Sequence, residues 1–186
     1  MTFDEMKERV TSALGVEFET EFDSRAGDLI VSSMCDLITS GNYKETDIVE
    51  LLTHEDFTID SGLEITYLGA SNDFTDDPNI LAIMKIYERG STLYGYRYIE
   101  KTQDFIVGMN SNSYLEPVTG VYYYYLIDDV IRFANSSASG KTITVKFVRT
   151  PDTSDWTGEM IGLYSLSFLE RVINMAIERL SAEVDR

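Results

Sequence analysis

The residues that could carry chemistry are few. His54 is the only histidine and Cys35 the only cysteine, so neither a three-histidine zinc site nor a multi-thiolate site can be assembled. A Ser-His-Asp relay would have to run through His54, and no serine stands in a Gly-x-Ser-x-Gly elbow. His54 is therefore expected to be a solvent-facing cap near a helix end. Cys35 falls beside the apolar face of an expected helix, where a lone thiol acts as a small hydrophobe. Ser139-Gly140-Lys141-Thr142 ends like a phosphate-binding loop, but Asn135 stands where that loop needs its first glycine, and ITVKFV after it reads as a strand. A hairpin turn is the better account. Asn72-Asp73-Phe74-Thr75-Asp76-Asp77 gathers three carboxylates that could meet a hard cation. The EF-hand spacing, its central glycine and its closing glutamate are missing, so solvated turn residues are expected. No catalytic, cofactor or metal residue is assigned, and the chain is read as non-enzymatic.

Charge is the outlying property. Among 186 residues, 32 acidic against 15 basic give a formal charge of −17. Gripping nucleic-acid phosphates requires clustered Lys and Arg, and no cluster appears. A negative wall would instead let a duplex pass without sticking. A hydrophobic fraction of 44% and a charged fraction of 25% are those of a folded chain, which at this length can bury roughly 70% of its unfolded surface. The start, MTFDEMKERV, lacks an apolar leader, and no window is long enough to span a bilayer. Synthesis in a reducing cytoplasm and no membrane partner are expected.

The elements that must position these residues follow from periodicity. Thr2 and Glu5 form a capping box before Phe3, Met6, Val10 and Leu14. After a link over 16–23, a second helix is expected from Ser24 to Ser40, stopping at Gly41-Asn42. Thr46-Asp47 could cap a third, brief helix carrying Ile48, Val49, Leu51 and Leu52. From Thr58 the pattern turns extended. Residues 80–89 and 92–99 are expected to form a hairpin, with a helix over 80–89 as the alternative because Pro78 could sit in its first turn. Thr102-Gln103-Asp104 could cap a short helical turn. Strands near Val121–Leu126, Val130–Phe133 and Thr142–Val148 should form an antiparallel meander. After Pro151, the spacing of Leu166, Leu169, Ile173, Ile177, Leu180 and Val184 predicts a helix over Ser165–Val184.

The fold class is thus α+β: short N-terminal helices (1–57), a mostly antiparallel sheet region (58–151), and a loop with an amphipathic C-terminal helix (152–186), read as one compact domain. Two interaction candidates arise. Tyr122, Tyr123, Tyr124 and Tyr125 alternate across a strand, so two face the core and two face solvent or a partner. Glu170, Arg171, Glu178 and Arg179 lie opposite the apolar stripe of the last helix, which docks either on its own domain, the favoured reading, or on another subunit.

With these parts in order, the chain resembles head-to-tail connector proteins of tailed bacteriophages, the adaptor or neck-ring family below the portal. The likeness runs over roughly 80–184: ILAIMKIYERGSTLYGYRYIE, the Pro-containing approach YLEPVTGVYYYY, DDVIRFAN, KTITVKFVRTP, DTSDW and a final helix. The resemblance implies a non-enzymatic virion protein in a homo-oligomeric ring, commonly twelvefold, lining a channel through which genome DNA passes without specific binding. It implies contact with the portal protein and with other neck or tail proteins, the N-terminal helices offering one patch and the tyrosine face another. The chain runs two residues past its last helix, so portal docking would use that helix or a loop. Three alternatives stand beside this reading: another tail-completion or minor capsid protein, a small calcium-binding or hydrolase module using 72–77, and an acidic DNA mimic.

Overall fold

The computed structural model describes residues 1–15, 20–67, 73–74, 80–89, 98–110, 120–128, 130–153, 156, 158–161 and 163–184. The chain is α+β and divides into two compact units: a helical one built from both ends of the chain, Met1–Leu52 with Thr150–Arg186, and a β unit, Thr53–Arg149.

In the helical unit, α1 (Phe3–Ser12) opens with the expected capping box. The Glu5 amide donates to Thr2 Oγ1 at 3.2 Å and the Thr2 amide to Glu5 Oε2 at 2.8 Å, satisfying two donors that a helix start leaves open. Helix α2 runs Thr20–Thr39. It begins inside the segment expected as a link, and Asp23 in its first turns pairs with Lys7 of α1 at 3.2 Å. The helix ends as expected at Gly41, whose φ of 72° lets the Gly41 and Asn42 amides close back on Ile38 and Leu37. Helix α4 (Leu166–Val184) packs on both α1 and α2. The shared core holds Met6 and Val10 of α1, Leu29, Ile30, Met34 and Ile38 of α2, and Phe168, Leu169, Val172, Ile173, Ala176 and Leu180 of α4.

The brief third helix does not form. Two single 3-10 turns, Glu45–Asp47 and Val49–Leu51, stand there, separated by Ile48 at φ −134°, ψ 34°. The Asp47 carboxylate accepts from the Lys44 amide (2.8 Å), the bond by which a capping box opens a helix, and from the Ser165 hydroxyl (2.6 Å), but the backbone leaves the helical region at Ile48 and the first turn is not continued.

The β unit has two sheets, ordered β1-β7-β3 and β2-β6-β5-β4. Their strands are β1 (Leu52–Thr58), β2 (Glu64–Thr66), β3 (Ile80–Glu88), β4 (Tyr98–Glu100), β5 (Tyr122–Ile127), β6 (Val130–Phe133) and β7 (Thr142–Arg149). Residues 80–88 are a strand, paired antiparallel with β7 from Ile80↔Arg149 to Glu88↔Ile143. The second arm of the expected hairpin, 92–97, lies outside the described residues. Strand β4 instead pairs parallel with β5, joined by a crossover containing α3 (Gln103–Asn110), as parallel pairs require. Thr102 caps that helix as expected, accepting from the Phe105 amide at 3.3 Å.

The meander is half right. Strands β5 and β6 form a hairpin with register Tyr124↔Phe133 to Ile127↔Val130, but β7 leaves for the other sheet and sits between β1 and β3. A 3-10 turn at Ser136–Ala138 and Gly140 at φ 77° redirect the chain. The loop is pinned to the end of β1 by Gly140 N–H to Ile59 O (2.7 Å) and Ile59 N–H to Lys141 O (2.9 Å). Ile143, Val145, Phe147 and Val148 are all buried, which suits a central strand flanked on both edges. The core of this unit joins Ile86, Ile143, Val145 and Phe147 of one sheet to Ile65, Tyr98, Tyr122, Tyr124, Ile131 and Phe133 of the other.

The turn between β5 and β6 holds Asp128 at φ 49°, a left-handed conformation that costs every L-residue something and glycine nothing. Asp128→Gly is expected to stabilise the protein by about 0.5 kcal/mol, read as an increase in urea midpoint at unchanged slope; a decrease would show that the aspartate side chain supports the turn.

Candidate interaction surfaces

The tyrosine strand is not a free surface. Tyr122 and Tyr124 point into the main core of the β unit, where the Tyr122 ring stacks on Tyr98 at 5.0 Å and Tyr124 tilts against Phe133 at 6.3 Å. Burial pushes the Tyr124 phenol well above its usual range. Alternation does send Tyr123 and Tyr125 to the opposite face, but α3 lies across it. Ile106, Met109 and Tyr125 are buried together there, with Phe105 and Tyr123 packed alongside. Phe105 meets Tyr123 edge-on at 5.7 Å, and the Lys101 ammonium sits over both rings at 4.8 and 5.7 Å, an arrangement that favours a cation by its attraction to the π face. The sequence offered a capping turn at 102–104 but no sign that the helix would fold back over the tyrosines. That placement depends on the parallel crossover.

The charged face of α4 is turned to its own unit, as favoured. Glu170 takes Arg9 of α1 in a two-pronged pair at 2.8 and 2.9 Å, and this guanidinium holds the Glu170 carboxyl below its usual range. Arg171 donates to the Asn42 carbonyl at 2.7 Å, reaches Asp47 at 3.5 Å and lies over the Phe168 ring. Arg179 ties to Asp36 and Ser32 of α2, and Glu183 receives Arg25 of the same helix. Glu178 alone of the four expected surface residues points out to solvent without one of these links. These pairs fix the helix in register, and because they are open to solvent each adds little to stability.

Asp47 is the exception to that solvation. It is 6% exposed and accepts from the Ser165 hydroxyl, the Lys44 amide and Arg171. Those donors, the Ser165 hydroxyl first, hold its carboxyl below the usual range. Ser165 in turn caps α4, its Oγ accepting from the Phe168 amide at 3.2 Å. The start of α4 is thereby bolted to the 3-10 turns.

The other candidates are scattered. His54 sits exposed on β1, not at a helix end, because the two 3-10 turns formed in place of the expected helix lead directly into that strand. Cys35 is half-buried on α2, and burial with Asp36 alongside pushes its thiol up, away from the reactive thiolate. Asp73 accepts from the Thr66 amide at 2.7 Å and returns its own amide to the Thr66 carbonyl at 2.8 Å. The rest of the 72–77 acidic loop, apart from Phe74 in the core, lies outside the described residues. Lys141-Thr142 leads into β7, so the phosphate-loop geometry, which needs a helix at that point, is not formed. Among the described residues no three His, Cys, Asp or Glu side chains are grouped to hold a metal ion. No helix among them is long and apolar enough to cross a membrane.

Two surface properties were not visible in the sequence. The first is where the charge lies. The helical unit carries 19 acidic against 7 basic residues, a net −12, and the β unit 13 against 8, a net −5. The second is an apolar corner. Val49, Leu166 and Ile161 are 59%, 51% and 47% exposed, and all three lie within a few residues of the Asp47–Ser165 link: the Ser165 amide donates to the Asp47 carbonyl at 3.1 Å, and Ile161 bridges to Tyr164. Leu166 belongs by periodicity to the apolar stripe, one heptad before the buried Ile173, but it stands in solvent while Phe168 and Leu169 of the same turn are fully buried. A scan against protein-family models matches none, and comparison with curated proteins finds no significant match.

Proposed function

We propose that the protein is a non-enzymatic virion structural protein, a subunit of a homo-oligomeric ring that joins a capsid portal to the tail and lines the channel through which the genome passes. The observation that carries this reading is the concentration of acidic charge on a helical unit whose α4 is bolted to α1 and α2. Such a surface repels duplex phosphates and holds its shape while doing so. The order of parts supports the same reading: a β5–β6 hairpin, a closing strand β7, Pro151 and a final amphipathic helix follow the sequence of elements on which the resemblance to phage connectors rests. A closed ring built from one chain needs two different, complementary patches on each subunit. The covered tyrosines leave the helical unit as the better source of one of them. In the virion the ring would sit at the neck, with the portal protein and other neck or tail proteins as its partners.

Native mass spectrometry of the purified protein, alone and with candidate portal rings, together with negative-stain imaging, tests this. A closed ring in either condition supports the proposal. A strict monomer that ignores the portal rejects it.

A further inference from the structure

We draw no further inference here: the strongest candidate, the open cavity of about 450 Å³ at the start of α3 lined by Glu100, Lys101, Thr102, Gln103 and Leu126, rests on a helix N-terminus alone, and nothing in the structure shows what occupies it.

Discussion

Phe147→Ala is expected to remove about 4 kcal/mol from the stability of the β unit, a large part of the 5–15 kcal/mol that a typical domain possesses. Phe147 is 1% exposed, sits on the central strand β7, and meets the Phe74 ring edge-on at 5.0 Å; Phe74 in turn tilts against Phe57 at 4.5 Å. Truncation forfeits the transfer free energy of the ring and leaves a cavity between paired strands that cannot collapse independently. The two units allow the result to be localised, because the single tryptophan, Trp156, belongs to the helical unit, edge-on to Phe3 at 5.0 Å and near Tyr164 at 6.1 Å. Urea unfolding followed by tyrosine signal reports mainly the β unit, and tryptophan emission reports the helical one. A loss under about 1 kcal/mol in the tyrosine transition would show that Phe147 is not a core residue.

Asp47→Ala should cost the helical unit about 3 kcal/mol, since it strands the Ser165 hydroxyl, the Lys44 amide and one side of Arg171, all of them oriented by the carboxylate. Asp47→Asn keeps the shape and part of the bonding and should cost less. The two substitutions also predict a pH dependence. The folded carboxyl is held below its ordinary value, so its contribution is complete above the unfolded value of about 3.9 and disappears as pH falls through the lower folded value. The stability gap between wild type and Asp47→Asn, followed by Trp156 emission, should therefore be constant at neutral pH and narrow only in strong acid. A gap that instead closed between pH 6 and 8 would mean that a different group governs this corner.

Local chemistry was legible from the residues wherever one segment satisfied itself. The Thr2–Glu5 capping box, the Gly41 stop, the Thr102 cap and the span of the terminal helix all depend on neighbours within four or five positions, so their amino-acid types determined them. So did the negative charge and the absence of a cluster of basic residues. What failed was competition between local preference and distant partners. Residues 46–52 have helix-capping residues, but the segment breaks at Ile48 into two turns, and Asp47 is also held by Ser165, more than a hundred positions away. ITVKFV looks like the third strand of a meander, but a sheet edge beside β5 and β6 offers one neighbour whereas β1 and β3 offer two. Tyrosine alternation fixed that two side chains would face away from the core, and only the β4-α3-β5 crossover decided that a helix would cover them. Leu166 shows the converse: its position in the heptad marks it as buried, and the tertiary arrangement leaves it in solvent although Phe168 and Leu169 of the same turn are buried. The sequence by itself determined the fold class, the terminal helix and the charge, because these are sums or short-range patterns. Which surfaces remain open was decided only by the tertiary structure, because exposure depends on what the rest of the chain places on top.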